Sequence, residues 1–132
     1  MEPFHYPVAV RYYEVDGQGV VFNMWYLGWF DEASTAFLHH VGFPYSRLVE
    51  DGMELQLVHT EVDWRGGAAW GDPVEVGVRA VGLGRTSLTL GFEVLRGAER
   101  LVSARTVYVT VREGRAVPVP ADLRSAFSDR LP

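Results

Sequence analysis

The chain has 132 residues, 48% of them hydrophobic and 22% charged, which suits one globular domain over residues 1–132 and is short for two independent cores. Its formal net charge of −5 disfavours a general nucleic-acid-binding protein, because phosphate contacts need a basic surface. The absence of Cys and Lys excludes disulfides, thiolate metal ligands and Schiff-base chemistry. No apolar run approaches the ~20 residues of a membrane span, and no apolar segment follows Met1, so a cytoplasmic location is expected.

The first predicted element is a strand over residues Pro7 to Glu14, in which Val8, Val10 and Tyr12 alternate on one side. A break of sequence DGQG follows at residues 16–19, and its two glycines permit tight or positive-φ backbone. The break therefore predicts a turn that leads directly into the next element.

A long helix is predicted after this turn. One apolar face recurs every three or four residues and comprises Tyr26, Phe30, Ala33, Phe37 and Val41. Asn23 precedes the face as a favourable N-cap residue, and residues 42–44 (GFP) end the helix. Further apolar residues lie off this face, at Trp25, Leu27, Trp29 and Leu38. A helix that is apolar on most sides is expected to be enclosed by other elements.

The second half of the chain predicts a short helical turn at residues 45–51, four successive antiparallel strands, and a short terminal helix after Pro120. A turn at 71–73 precedes the second of these strands, and a hairpin turn at 96–99 joins the third to the fourth. The residues expected to share a strand face are Val58, Thr60, Val62 and Trp64; Val74, Val76, Val78 and Ala80; Thr86, Leu88, Leu90, Phe92 and Val94; and Val107, Val109 and Val111.

This order of elements predicts an α+β hotdog fold, in which a five-stranded antiparallel sheet wraps around the long central helix. The sheet face opposite the helix is expected to retain apolar residues, because Val81 and Leu101 are assigned to it and Trp70 precedes a long strand. An exposed apolar patch is typical of an interface, so the sequence predicts a homo-oligomer, either a dimer or a tetramer.

The segment that runs from the first strand into the helix carries a recognisable motif. Its positions are Tyr13, Glu14, Asp16, Gly19, Val20, Val21, Phe22 and Tyr26. This motif resembles the strand-to-helix signature of the 4-hydroxybenzoyl-CoA thioesterase family of hotdog proteins. Residues 62–65 before Gly71-Asp72, residues 84–87 and residues 118–120 also resemble parts of that family, so the resemblance covers nearly the whole chain.

The resemblance implies an acyl-CoA thioesterase that hydrolyses a short-chain or aromatic acyl-CoA without a metal or another cofactor. Asp16 matches the family's catalytic Asp, and Gly19 belongs to the same signature. Asn23 matches the position whose backbone N–H contacts the thioester carbonyl. The family often has His or Tyr there, so the Asn23 side chain departs from the pattern.

Elementary chemistry supports the same location. A helix N-terminus offers free backbone N–H groups and the positive end of the helix dipole, here around Asn23 and Met24. These groups are suited to polarise a thioester carbonyl, while Asp16 on the preceding turn is a candidate base or nucleophile. Two structural alternatives stay open: Asp16 as a turn residue bonded to its own backbone, and Asn23 as a helix cap only.

Two further carboxylates are weaker candidates. Glu14 is close enough in sequence to raise the pKa of Asp16, but a solvated strand end is the favoured interpretation. Asp31 is the alternative catalytic base, because some hotdog thioesterases of another branch use a helix carboxylate. Its favoured interpretation is a charge that faces solvent or an interface arginine.

Candidate substrate-binding residues are Met24 and Tyr26 at the start of the helix, together with several residues of the strands. Arg85 matches a family position that contacts the nucleotide phosphates, and Arg65 and Arg79 are candidates on neighbouring strands. Each arginine has the alternative of a surface ion pair. His59 is a candidate for the acyl pocket. The simpler assignment is a structural histidine whose ring nitrogens are hydrogen-bonded within the sheet.

The sequence leaves two alternatives to hydrolysis. A hotdog dehydratase needs His and Glu at the helix start, and no His lies between Tyr6 and Phe37. The other rival is a non-catalytic module that binds acyl-CoA or serves in assembly. For the thioesterase, a site at a subunit seam is expected, with Asp16 from one chain and Arg85 or His59 from a neighbour.

Overall fold

The computed structural model describes residues 2–132. Its strands are β1 (Phe4–Ala9), β2 (Met53–Trp64), β3 (Pro73–Leu83), β4 (Ser87–Arg96), β5 (Glu99–Arg112) and β6 (Arg115–Ala116). Its helices are α1 (Asn23–His40), α2 (Tyr45–Glu50) and α3 (Ala121–Ser128), and a 3₁₀ turn occupies Tyr12–Glu14. None of the helices within residues 2–132 is both long and apolar enough to cross a membrane.

The sheet is antiparallel throughout and has the strand order β1-β3-β4-β5-β2, with the two-residue β6 added beside β5. The long helix α1 lies between β1 and β2 in the chain and covers one face of the sheet. This arrangement confirms the predicted hotdog fold, and β6 is the strand that the sequence pattern did not indicate. Strands β1 and β2 form the two edges.

The core lies between α1 and the inner face of the sheet. The predicted helix face is buried at Tyr26, Phe30, Ala33 and Phe37, and Phe30 stacks on Phe92 of β4 with 4.8 Å between ring centroids. The predicted inner faces of β3 and β4 are likewise buried. Helix α1 also packs against β1, β3 and α2.

The first strand differs from its prediction. It begins at Phe4 and ends at Ala9, whereas Tyr12 lies in the 3₁₀ turn with 75% of its surface exposed. The reason is pairing: Ala9 is opposite Pro73, the first residue of β3, so the chain beyond Ala9 has no partner strand. The alternation of apolar residues in the sequence extends to Tyr12, whereas the hydrogen bonding between β1 and β3 ends at Ala9.

The predicted face of β2 is also interrupted. A β-bulge between Leu57 and His59 leaves Val58 outside the pairing, and Val58 is exposed, while Thr60, Val62 and Trp64 remain on the side that faces α1. A bulge adds one residue to one strand and shifts the alternation, which a period-two pattern cannot anticipate.

The prediction of an apolar patch on the outer face of the sheet is partly wrong. Leu101 is fully buried and belongs to the hydrophobic core, because a β-bulge between the pairs Val94–Val102 and Leu95–Arg100 shifts the alternation of β5 at this residue. Val81 is half-buried. Trp70 is exposed and packs edge-on against Tyr12.

Candidate active site

The turn that contains Asp16 is closed by backbone hydrogen bonds. The N–H of Asp16 donates to the carbonyl of Val20 at 2.9 Å, and the N–H of Gly19 donates to the carbonyl of Asp16 at 3.0 Å. Gly19 has φ +81°, a conformation that suits glycine. The carboxylate of Asp16 accepts the N–H of Gln18 at its Oδ1, at 2.8 Å.

The Asx-type bond considered from the sequence is therefore present. It fixes the orientation of a carboxylate that is only partly buried. Among the hydrogen bonds of residues 2–132, none uses the second oxygen, Oδ2. One oxygen of Asp16 is thus anchored and the other is available to a water molecule or a substrate.

Helix α1 begins soon after this turn, and the backbone N–H groups of residues 21–25 fall into two sets. Those of Val21, Phe22 and Trp25 are occupied, by the carbonyls of Ala68 (2.8 Å), Glu14 (2.9 Å) and Phe22 (3.0 Å). Within the described chain, no hydrogen bond takes the N–H of Asn23 or Met24. Two adjacent donors at the positive end of the helix dipole are therefore unoccupied.

The interpretation of Asn23 as an N-cap is wrong. Phe22 occupies the cap position, no side chain makes a cap hydrogen bond, and Asn23 is the first residue of the helix. The backbone bonds of Val21 and Phe22 to residues distant in the chain fix the start of the helix instead. A side-chain cap is thereby unnecessary, and no cap oxygen competes for the free donors.

Glu14 is the second correction, because it is buried rather than solvated. Only 2% of it is exposed, and its carboxylate accepts the indole N–H of Trp29 at 2.8 Å and the backbone N–H of Arg11 at 2.7 Å. The Arg11 guanidinium lies 3.6 Å away. Glu14 therefore joins the 3₁₀ turn to the second turn of α1, just ahead of Asp16.

A groove of about 250 Å³ opens beside the start of α1. It brings together three residues singled out from the sequence, namely Asn23, Tyr26 and Arg65. The other lining residues are Val20, Val21, Trp64, Gly66 and Gly67. The Tyr26 side chain is almost fully buried, and its hydroxyl accepts the N–H of Ala68 at 3.1 Å. Burial raises the pKa of the Tyr26 phenol, and the Ala68 N–H acts in the opposite direction.

The far wall of the groove is the loop of residues 65–72, which Arg96 of β4 holds in place. The guanidinium donates to Asp72 at 2.7 Å, to the Gly67 carbonyl at 3.3 Å and to Glu99 at 2.8 Å. The Ala69 N–H and the Arg96 guanidinium lower the pKa of Asp72. At Gly67 a Cβ atom would come within 2.8 Å of the Val20 side chain, so this close approach requires glycine.

The remaining candidates lie elsewhere on the same chain. Arg85 follows β3 at the end opposite residues 65–72, and the eleven residues of β3 span roughly 33–36 Å. His59 is exposed on β2 and lies 3.0 Å from Glu61. Met24 is exposed beside the helix start, Arg79 lies on β3, and Asp31 is two turns further along α1.

Sequence reasoning missed two contributors to this region. The burial of Glu14 had a weak signal, an acidic residue inside the motif with Arg11 three positions before it. The pair Arg96–Asp72 had none, because the two residues are 24 positions apart and meet only through the sheet register. Both act on the segments that carry the groove rather than on its open surface.

Comparison with known proteins identifies the family of this chain. The sequence profile of the thioesterase-like superfamily matches residues 10–127. The acyl-CoA thioesterase YbgC of Haemophilus influenzae is 27% identical over 127 residues, covering 94% of this chain and 93% of that protein. A crystal structure of a hypothetical protein from Aquifex aeolicus has 30% identity and TM-score 0.90, covering 95% and 99%. The gentisyl-coenzyme A thioesterase BH1999 has 25% identity and TM-score 0.86, covering 93% and 98%. The chain therefore belongs to the thioesterase-like superfamily, and it is an acyl-CoA thioesterase of the hotdog fold.

Proposed function

We propose that this enzyme hydrolyses a short-chain or aromatic acyl-CoA, with Asp16 as the base or nucleophile and the start of α1 polarising the thioester carbonyl. The observation that carries the proposal is the pair of unoccupied N–H groups at the start of α1, those of Asn23, which lines the groove, and of its neighbour Met24. The aromatic alternative gains support from BH1999, whose acyl group, gentisyl, is aromatic.

The proposed reaction needs no group beyond these. The thioester carbonyl oxygen accepts the two N–H groups, and the dipole of α1 stabilises the negative charge that develops on it. Asp16 takes a proton from water as the water oxygen bonds to the carbonyl carbon. The tetrahedral intermediate then collapses, the C–S bond breaks, and the CoA thiolate leaves and is protonated. In the nucleophilic alternative, Asp16 attacks the carbonyl carbon, the C–S bond breaks with release of the CoA thiolate, and water then hydrolyses the resulting anhydride to the free acid and the Asp16 carboxylate.

The nucleotide part of the substrate carries phosphates that require cations. Arg65 already lines the groove and is exposed, so it is the cation of the same chain that we assign to this role. Arg85 is too far away within one chain, and we assign it, with His59, to the site of a neighbouring subunit.

That assignment needs a second copy of the chain, and the exposed apolar residues indicate where it binds. One group of them lies on α1 and on the edge strand β2, at Met24, Leu27, Leu57, Val58 and Trp64, while others, such as Tyr12 and Trp70, lie elsewhere. An edge strand with unpaired backbone groups beside an apolar patch is a favourable surface for self-association. We therefore propose a homodimer or homotetramer in the cytoplasm, with the active site at the seam.

Thiol release from a panel of acyl-CoAs tests the activity. The panel should contain acetyl-, butanoyl-, benzoyl- and hydroxybenzoyl-CoA, each with and without EDTA. We expect hydrolysis of at least one member at a rate that EDTA leaves unchanged. A complete lack of turnover would favour the rival binding or assembly module, and dependence on added zinc would contradict the mechanism.

Light scattering in dilute solution tests the assembly. We expect a mass of two or four times 14.8 kDa at concentrations where the enzyme is active. A fully active monomer would refute the shared site while leaving hydrolysis itself intact.

A further inference from the structure

The turn between β3 and β4, residues 84–86, is held by the later part of the chain through its carbonyl groups. The Arg85 carbonyl accepts the N–H of Val119, which follows β6, at 3.0 Å. The Thr86 carbonyl accepts both the N–H and the hydroxyl of Thr110 on β5, at 2.8 and 3.1 Å. The backbone of the turn is therefore fixed by segments that are distant in the sequence.

Helix α3 closes the same turn with a side chain. The guanidinium of Arg124 donates to the carbonyls of Gly84 and Arg85, at 2.6 and 3.1 Å. The helix itself is anchored in the core, because Leu123 and Phe127 are fully buried. Arg124 is half-buried, so its stem is held between the helix and the turn. All three carbonyls of the turn are thus occupied by residues of the chain itself.

The donors of the turn, in contrast, are unoccupied. Among the hydrogen bonds and ion pairs of residues 2–132, none uses the backbone N–H of Arg85 or Thr86, and none uses the Arg85 guanidinium, which is exposed. In the same part of the chain, Arg124 donates only to carbonyls and pairs with no carboxylate. Two arginines therefore lie at one turn without a balancing acid, in a chain whose net charge is −5. Such a turn is suited to bind an anion with several oxygens, such as a phosphate.

We infer that Arg124 is a positioning residue for the nucleotide end of the substrate, because it holds the turn that presents the Arg85 guanidinium to the phosphates. The inference rests on the proposed function and on the assignment of Arg85 to the site of a neighbouring subunit. A guanidinium binds phosphate through a fork of parallel N–H groups, so the orientation of its stem matters.

Loss of Arg124 should loosen this turn without unfolding the sheet. Within the described chain, the Gly84 carbonyl would lose its one donor, and the Arg85 carbonyl would keep only the N–H of Val119. A looser turn has more conformations to give up when a phosphate binds, and that cost weakens binding. The cost falls on the nucleotide end alone, because the thioester lies at the start of α1.

The test measures kcat and KM for butanoyl- and benzoyl-CoA and for the corresponding pantetheine thioesters, which lack the nucleotide and its phosphates. The CoA-to-pantetheine ratio of kcat/KM within each variant is the readout, so a general loss of folded enzyme cancels. We expect Arg124→Met to lower this ratio by about 3- to 10-fold, the range of one net hydrogen bond. The change should lie in KM for the CoA ester, with kcat unchanged.

Variants of Arg85 show whether Arg124 acts through it. Arg85→Met should lower the ratio by about 10-fold or more, because it removes a charged donor. In that background Arg124→Met should have little further effect, since the two residues are coupled. Arg124→Lys keeps a cationic donor and should recover part of the loss. An Arg124→Met effect of equal size in both backgrounds would overturn the inference, because Arg124 would then act independently of Arg85.

Arg130→Met is the matched control. Arg130 follows α3, and its guanidinium donates to the Ala126 carbonyl at 2.9 Å, within its own segment, so the ratio should stay unchanged. An unchanged ratio in Arg124→Met would overturn the inference and leave the thioesterase function standing. A wild type that hydrolyses CoA and pantetheine thioesters equally well would do the same.

Calorimetry of free CoA binding separates this inference from the proposed function. No hydrolysis of any ester would remove the proposed function, but the Kd for CoA would still test Arg124. We expect Arg124→Met to raise this Kd by the same 3- to 10-fold, about the range of one net hydrogen bond. Equal affinity of Arg124→Met and the wild type for CoA would overturn the inference.

Discussion

Glu14 and Asp16 are two residues apart, yet the fold uses the two carboxylates in opposite ways. Glu14 is buried, and its two oxygens accept hydrogen bonds from the backbone N–H of Arg11 and the indole N–H of Trp29. Asp16 is partly exposed and has one oxygen bound to Gln18 and one available. The contrast teaches that a carboxylate surrounded by donors stabilises the fold, whereas a carboxylate with an unoccupied oxygen in the turn before α1 is suited to chemistry.

The variant with the largest expected effect is Asp16→Asn, which keeps the size of the side chain and removes its basic oxygen. We expect kcat to fall by about 100-fold or more, as for loss of a general base, with little change in the free energy of unfolding. Steady-state thiol release and urea denaturation measure the two effects. Asp129→Asn, an exposed site near the C-terminus, is the matched control.

Asp31→Asn in the same assay separates the two catalytic candidates. Loss of butanoyl-CoA hydrolysis in Asp31→Asn, together with near-normal turnover in Asp16→Asn, would move the reaction to the helix carboxylate. That result would also contradict the division of roles between the two carboxylates of the turn.

The opposite variant, Glu14→Gln, should act on stability. Its amide retains one acceptor oxygen but turns an NH₂ group toward either Trp29 or the backbone of Arg11, so one buried donor loses its partner. We expect a loss of about 1–3 kcal/mol in the free energy of unfolding, measured by urea denaturation. The exposed Glu50→Gln should change this quantity little. Equal stability of Glu14→Gln and the wild type would remove the structural role assigned to Glu14.

A third carboxylate, Asp72, extends the comparison, and its replacement is the variant with the smallest expected effect. Its pKa is lowered in the folded state, by the Ala69 N–H and by Arg96, relative to about 3.9 in the unfolded chain. The stabilisation is therefore complete above roughly pH 5 and is lost as the pH falls through the folded pKa. Because the pair is solvent-accessible, we expect Asp72→Asn to lower Tm by only about 2–4 °C at pH 7.

Thermal unfolding of both proteins from pH 7 to pH 3 provides the measurement. The difference in Tm should shrink as the solution becomes more acidic. A difference that is constant over this range would assign the effect to the shape of the loop rather than to the charge of Asp72.

The sequence predicted the fold well where the information is local. The apolar face of α1, from Tyr26 to Phe37, and the alternation in β3 and β4 depend only on the spacing of neighbouring residues, and both are buried as expected. The end of β1 could not be predicted in this way, because it depends on where β3 begins. Pairing partners are set by register, which no single segment contains.

In the candidate site, too, local features could be predicted from the sequence, whereas contacts between distant residues could not. The Asx-type turn at Asp16 follows from its own short motif, and the helix start at Asn23 follows from the stripe behind it. The burial of Glu14 depends on Trp29, fifteen residues later, and the position of the loop 65–72 depends on Arg96. The spacing of residues predicts neither the contact of Glu14 with Trp29 nor that of Asp72 with Arg96, because both form only when distant elements meet.

The uncapped start of α1 has a consequence for protein engineering. Replacing Phe22 with Asp or Ser is an obvious route to thermostability, since a side-chain cap commonly adds about 1 kcal/mol. The new oxygen would accept the N–H of Met24 or Trp25, because a cap bonds the second or third residue of its helix. A more heat-resistant protein would then be a slower catalyst, a trade-off that arises because the donors suited to the thioester are the ones an ordinary helix would satisfy by itself.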